Sequence, residues 1–379
     1  GGKHSLRWTG RIRATATGRH TIGVAAPGGR FRLWIGDRLA AEGEAAPVNP
    51  QPVGAPTLGP LDDPTPRCVF PVAEGHVELF LCEGQCVDVR LEYVKTRHPG
   101  AIRLEWTPPG AGDPMAEAAA VAAGCDAAIV CAGLCSLHEG GGLDRAGIAL
   151  PGRQAELIRA VARANPRTVV VLYGGNPLEM RSWSAHVPAI VQAWYPGQEG
   201  GHALARVLFG DINPSGRLPV TIPVRAADHA AWKNYPGEHD TVRYAEGVFI
   251  GYRHFDRAGI EPMYPFGFGL SYTRFAYRKL RISARRIRRG DSLRAEIVVK
   301  NTGRRAGQEV VQLYVRDVEA SVPRPPWELR GFAKIALQPG ESRTVSFEIG
   351  PRDLAFYDAA AQCWRIEPGR FEVRIGPHS

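Results

Sequence analysis

The spacing of apolar residues changes twice along this 379-residue chain. It runs from a period of two, to alternating strands and helices, and back to two, which no single pair of layers accommodates. In the front region Phe31, Leu33 and Ile35 alternate with Arg32 and Trp34. Val87, Val89, Leu91 and Tyr93 alternate with polar partners, as do Ile102, Leu104 and Trp106. Such alternation marks strands with one buried face. The stretch from Val48 to Pro71, rich in Pro and Gly, reads as a long loop between strands, and loops of this length often carry function. Thr107-Pro108-Pro109-Gly110 ends the region.

The middle region has a different texture. Asp113 and Pro114 form an N-cap and first-turn proline for an Ala-rich helix through Ala123. An apolar strand from Ala127 to Gly133 follows, then a polar Gly-rich loop to Pro151. Arg153 to Asn165 reads as a helix, Thr168 to Tyr173 and Ala189 to Trp194 as strands, and Gly200 to Phe209 as a helix. This alternation predicts a mostly parallel sheet with helices on both faces. Ligands bind such sheets at the carboxyl ends of their strands, which singles out the loops Cys135–Leu150, Gly174–Met180 and Tyr195–Gly201. Tyr235 to Tyr277 reads as an aromatic, Gly-rich connector packed on its neighbours. In the tail Val345, Phe347 and Ile349 alternate, and so do Phe371, Val373 and Ile375, predicting a small β-sandwich. The expected architecture is multidomain: residues 1–108 as a β-sandwich, 111–280 as an α/β domain with its connector, and 281–379 as a second β-sandwich.

Composition removes several functions. The formal net charge is +9, but Arg is spread along the whole chain. The densest run, Arg285-Arg286-Ile287-Arg288-Arg289, has no interleaved aromatics to stack bases, so no nucleic-acid partner is expected. No apolar run reaches the roughly 20 residues that span a bilayer, so no membrane role is expected. The seven cysteines, Cys68, Cys82, Cys86, Cys125, Cys131, Cys135 and Cys363, are odd in number, which argues against a disulfide framework. Cys125 and Cys131 read as small core residues. Free thiols favour a reducing, cytoplasmic compartment. Gly1-Gly2-Lys3-His4 contains no initiator Met and no signal-peptide core, as expected of a processed product or of a segment from inside a longer protein. No metal-ligand spacing and no phosphate or dinucleotide fingerprint appears, so no cofactor is expected.

A series of motifs adds a family. These are Leu143-Asp144-Arg145 before Leu150-Pro151-Gly152; Ala164-Asn165-Pro166; the run from Gln192 to Gly200; the run from Gly210 to Pro219; and Tyr264 to Tyr272. Together they resemble the second domain of glycoside hydrolase family 3 enzymes. Asn301-Thr302-Gly303, the run Gly307 to Val315, Leu329-Arg330-Gly331-Phe332 and Pro339-Gly340-Glu341 resemble the fibronectin type III-like domain of the same enzymes. Trp8-Thr9-Gly10, Arg32-Leu33-Trp34-Ile35 and Ala101 to Trp106 resemble the PA-14-type sandwich that some members carry as an insert. The family's amino-terminal (β/α)8 barrel, which supplies the Asp nucleophile, has no counterpart in these residues.

The resemblance implies retaining hydrolysis of a terminal β-linked sugar from an oligosaccharide or β-glycoside, completed by a barrel that belongs to a longer polypeptide or to a separate chain. Retaining glycosidases need two carboxyl groups about 5–5.5 Å apart. The family's acid/base Glu lies in a loop of the form Glu-Gly-x-Asp-Arg. Counted back without gaps from Asp144-Arg145, that position holds Gly141, which cannot transfer a proton. Glu139 lies two residues earlier, and Gly140, Gly141 and Gly142 permit a shifted loop, so Glu139 is the candidate acid/base, with His138 a proton carrier beside it. The alternative is a solvated loop carboxylate in a non-catalytic carbohydrate-associated module or degenerate relic. Asp144 and Arg145 read as an ion pair or loop anchor, with substrate contact the alternative. Glu199 reads as a first-turn carboxylate on a helix dipole, Trp194 and Tyr195 as a buried sheet edge, with stacking on a sugar ring the alternative, and Glu246 as a structural carboxylate.

Overall fold

The computed structural model describes residues 4–45, 72–96, 100–110, 112–135, 138–140, 145, 147–235, 237–239 and 241–379. The loop expected from Val48 to Pro71 lies outside the described residues, as do Gly141, Gly142, Leu143 and Asp144. The chain forms two compact units. One comprises Gly1–Gly174 with Trp183–Gln192, the other Gly175–Ser182 with Ala193–Ser379.

The first unit opens with seven strands: β1 (Ser5–Arg13), β2 (Gly18–Pro27), β3 (Gly29–Ile35), β4 (Arg38–Glu44), β5 (Val72–Leu81), β6 (Cys86–Lys95) and β7 (Arg103–Thr107). They make one sheet in the order β1-β6-β3-β4 and another in the order β5-β2-β7. Period-two patterning buries Ile22, Val24 and Ala26 from β2 against Phe31 and Leu33 from β3 and Leu91 and Tyr93 from β6. Gly43 and Gly75 flank the Phe31 ring, where an added Cβ would stand 2.7 and 2.8 Å from it. His20 is fully buried. The Trp106 indole Nε1–H donates to its Nδ1 at 3.0 Å, and its Nε2 lies 2.9 Å from the Ala16 carbonyl.

The α/β part follows: α1 (Pro114–Ala123), β8 (Ala128–Gly133), α2 (Gln154–Ala164), β9 (Thr168–Tyr173) and β10 (Ala189–Trp194). Asp113 caps α1 by accepting the Met115 N–H at 3.1 Å, with Pro114 in the first turn, as the sequence predicts. The sheet order is β10-β9-β8, and β8 runs parallel to β9 in register from Ala128↔Thr168 to Gly133↔Tyr173. Asn165 ties α1 to the start of β9. Its buried amide donates to the carbonyls of Ala122 (3.0 Å) and Cys125 (2.9 Å) and accepts the Arg167 N–H (2.8 Å). Cys125 and Cys131 are exposed, which corrects their assignment to the core. Val130 and Ala132 take the buried face of β8, so Ile129 and Cys131 project from the other face. The six described cysteines are all free thiols.

The second unit contains α3 (Gly200–Leu208), α4 (Tyr252–Ala258) and a sandwich built from β11 (Phe275–Ile282), β12 (Leu293–Asn301), β13 (Gly307–Asp317), β14 (Glu328–Leu337), β15 (Ser342–Ile349), α5 (Pro351–Leu354), β16 (Phe356–Asp358), β17 (Cys363–Arg365) and β18 (Phe371–Gly376). Its sheets are β11-β12-β15 and β14-β13-β18, closed over Ala295, Ile297, Val311, Leu313, Val345 and Ile349. β11 begins at Phe275, so it straddles residue 280, where the sequence reading divides the last two domains. The residues from Asn213 to Tyr272, which include most of the connector, are fastened to this sandwich by polar bonds. Arg217 pairs with buried Glu309, which also accepts the Tyr277 hydroxyl at 2.6 Å. Asn213 donates to the Ala306 carbonyl (2.9 Å) and accepts from Ser271 (2.9 Å) and the Tyr272 N–H (2.8 Å). The Tyr252 hydroxyl accepts the Leu329 N–H at 2.9 Å. No described helix is long and apolar enough to cross a membrane.

Candidate active site

The site starts where β8 and β9 end together. Gly133 has φ +148, and a Cβ there would stand 1.9 Å from the Tyr173 carbonyl oxygen, so only glycine brings the strand ends this close. The Leu134 N–H then donates to that carbonyl at 2.9 Å. Gln154, in the first turn of α2, clasps Gly133 from both sides. Its Oε1 accepts the Gly133 N–H at 2.7 Å, and its Nε2 donates to the Gly133 carbonyl at 3.0 Å.

Beyond this clasp the backbone turns back. The Cys135 carbonyl accepts the N–H of His138 (2.8 Å) and of Glu139 (3.2 Å). The turn brings the half-buried Glu139 carboxylate over the end of β9, with Oε1 3.7 Å from where a Gly174 Cβ would stand. The absence of a side chain at Gly174 leaves room for that carboxylate.

His138 shares the turn. The Cys135 N–H donates to its Nδ1 at 3.3 Å, and the Cys135 Sγ lies 3.1 Å from the same nitrogen. A backbone N–H can only donate, so Nδ1 is unprotonated and the neutral ring carries its proton on Nε2. Burial pulls the His138 pKa below the ordinary histidine value. The Arg145 charge pulls in the same direction, and Glu139 opposes them. Arg145 itself donates to the Ala149 carbonyl at 3.1 Å, which anchors the far side of the loop. The turn therefore carries Cys135, His138 and Glu139 together, with the Arg145 charge close enough to act on His138. The Asp144 half of the expected ion pair, and Gly141, lie outside the described residues.

The remaining candidates belong to the second unit. Glu199 stands at the N-cap of α3 and makes no side-chain cap bond. Tyr195 is 58% exposed, which corrects its assignment to a buried edge. Trp194 is half-buried with φ +54, a left-handed conformation that turns the chain sharply at the end of β10 and directs Tyr195 outward. Glu246 accepts from the Asn234 amide at 2.9 Å, a structural tether. Among the described residues no group of three or more His, Cys, Asp or Glu can hold a metal ion. Sequence reasoning missed Gln154 and the Cys135–His138 pair. The one signal for Gln154 was a polar residue in the first turn of a helix on the heels of Leu150-Pro151-Gly152.

Comparison with known proteins agrees with this architecture. The family described as "Glycosyl hydrolase family 3 C-terminal domain" matches residues 35–272, and the fibronectin type III-like domain matches residues 309–379. The thermostable β-glucosidase B of Acetivibrio thermocellus is 44% identical over 263 residues, covering 69% of this chain and 35% of that protein. A β-glucosidase of Rhizobium radiobacter is 48% identical over 265 residues, covering 69% of this chain and 32% of that protein. The crystal structure of the Kluyveromyces marxianus β-glucosidase in complex with glucose superposes with a TM-score of 0.78 at 33% identity, covering 99% of this chain and 43% of that one. The chain spans about a third of the length of the curated relatives it matches. The parallel β8–β9 pair, the C-terminal sandwich and a family match over most of the chain have one conclusion: the chain belongs to glycoside hydrolase family 3, as the β-glucosidase-like C-terminal portion.

Proposed function

We propose that this chain is the acid/base half of a retaining β-glucosidase and that Glu139 is the proton donor. The observation that carries the reading is the position of its carboxylate: half-buried, on a closed turn, over the carboxyl ends of β8 and β9. Open α/β sheets bind ligands in that position. The attacking carboxylate is the Asp of a (β/α)8 barrel, carried on the same longer polypeptide or on a separate chain, about 5–5.5 Å from Glu139 in the assembled site. Glu139 first protonates the departing glycosidic oxygen and then deprotonates the water that releases the sugar. The names of the relatives, and the glucose in the Kluyveromyces structure, support a terminal β-linked glucose as the sugar.

In the same reading residues 1–108 form a PA-14-type insert whose loops border the site, ahead of the family domain (111–280) and the fibronectin type III-like domain (281–379). The free thiols support a reducing, cytoplasmic compartment. The glycine at position 141 favours a second reading, a non-catalytic carbohydrate-associated module.

Supplying the missing half tests the choice. The part of the Rhizobium radiobacter relative that precedes the matched segment is fused to, or mixed with, this chain and assayed on p-nitrophenyl β-glucoside. Hydrolysis by the assembly, absent from either half alone, is the expected result. A folded assembly that binds glucose without turnover contradicts catalysis and selects the binding module.

A further inference from the structure

Cys135 and His138 are not needed by the chemistry proposed for Glu139, yet they form a built pair. The Sγ–Nδ1 separation of 3.1 Å is within hydrogen-bond reach for sulfur. The thiol is exposed, whereas the imidazole is half-buried; its Nδ1 accepts the Cys135 N–H, and the His138 backbone N–H donates to the Cys135 carbonyl. Those two bonds set the turn with the unprotonated ring nitrogen toward the sulfur.

We propose that Cys135 is a covalent modification site, a thiol activated by His138 for addition to α,β-unsaturated carbonyl compounds. The groups facing the pair favour this. The depressed His138 pKa, caused first by burial and then by Arg145, keeps the ring a base at neutral pH. Glu139, which acts against that depression, stabilises the imidazolium as it forms. The other described thiols lack this arrangement. Cys125 Sγ donates to the Val121 carbonyl at 3.3 Å and Cys86 Sγ to the Gly84 carbonyl at 3.8 Å, neither of which can take the proton away.

The step balances without an oxidant. The Cys135 S–H proton passes to Nδ1 of His138, and the sulfur attacks the β-carbon of the acceptor. The C=C π pair moves to the α-carbon, which takes the proton back, and a thioether results. No atom leaves. The adduct grows from the residue whose carbonyl closes the turn under Glu139, so modification bears on proton transfer. That consequence rests on the function proposed above, whereas the reactivity does not.

The test uses the intact chain and N-ethylmaleimide below one equivalent at pH 7, with peptide mass mapping of each thiol. Cys135 is expected to label at least tenfold faster than Cys82, Cys86, Cys125, Cys131 and Cys363. In denaturant the ratios fall to about one, because the advantage belongs to the folded pair. His138→Gln, which removes the base, lowers the Cys135 rate to that of the other thiols while leaving theirs unchanged. Native labelling of Cys135 at the same rate as the others overturns the proposal, as does a ratio that survives unfolding. Both readings are independent of whether any barrel assembly hydrolyses a glucoside.

Discussion

Gln154 holds Gly133 by both of its backbone polar groups, accepting the N–H at 2.7 Å and donating to the carbonyl at 3.0 Å. The clasp fixes the carboxyl end of β8 against the first turn of α2, one residue before the chain leaves the sheet for the Glu139 turn. Gln154→Met removes both bonds and strands two half-buried groups, at about 1–3 kcal/mol each if water does not replace them. The Leu134 amide, bonded to the Tyr173 carbonyl, is expected to exchange its hydrogen at least tenfold faster in this variant. Unchanged exchange would mean that the turn is held elsewhere.

Gly133→Ala is a sharper perturbation. The added carbon meets the Tyr173 carbonyl oxygen at 1.9 Å, and the backbone there has φ +148. The strand ends must separate, which costs on the order of 3 kcal/mol or more. Gly147, whose added Cβ meets nothing within 4 Å, is the control in the loop that follows. Urea unfolding monitored by tryptophan fluorescence should give a markedly lower midpoint for Gly133→Ala and a nearly unchanged one for Gly147→Ala.

His138 makes a signed prediction for pH. Its folded pKa lies below the unfolded value of about 6.5. The unfolded state therefore binds more protons between the two values, so this group's stabilising effect is present above about pH 6.5 and is lost as the pH falls through the folded pKa. An NMR titration of the ring should show a midpoint below 6.5. Glu139→Gln removes the charge that opposes the shift and moves the midpoint lower, and Arg145→Gln moves it higher. Shifts in the opposite directions would remove Glu139 and Arg145 from the neighbourhood of the ring.

The Arg217–Glu309 pair is buried, with side chains 8% and 2% exposed. Arg217→Met leaves the Glu309 carboxylate without its cation and should cost the second unit about 3–5 kcal/mol. Arg217→Met with Glu309→Gln keeps an acceptor for the Tyr277 hydroxyl and should recover more than half of the loss. A denaturant series on the three proteins measures this. Equal loss in the single and double variants would show that packing, not charge, fastens the Arg217 segment to the sandwich.

Local signals in the sequence were reliable where one residue type has one physical use. Asp113-Pro114 marked the start of α1, and the β-branched run to Tyr173 marked β9. Cys131 was misread because β8 is a continuous apolar run, from Ala127 to Ala132, in which periodicity cannot tell one face from the other. α4 was read as part of an extended connector because seven residues, Tyr252–Ala258, are too few to display a helical repeat. The long-range polar contacts had no local signature. Trp106 reaches His20 across 86 positions and Gln154 reaches Gly133 across 21, so pairing them required the fold. In the site, the sequence singled out Glu139 and the glycines that free its loop. It did not reveal that the Cys135 carbonyl closes the turn, because that depends on where the backbone leaves β8.

The role of Glu139 is tested most directly by how its loss depends on the leaving group. The barrel-completed protein and its Glu139→Gln variant are assayed on a series of aryl β-glucosides. With a poor leaving group such as phenol, which needs a proton as it departs, the variant should lose about 100- to 10,000-fold in rate. With 2,4-dinitrophenolate, which departs unaided, the first step should be nearly unchanged. An equal loss on both substrates, or no loss on either, would contradict Glu139 as the proton donor.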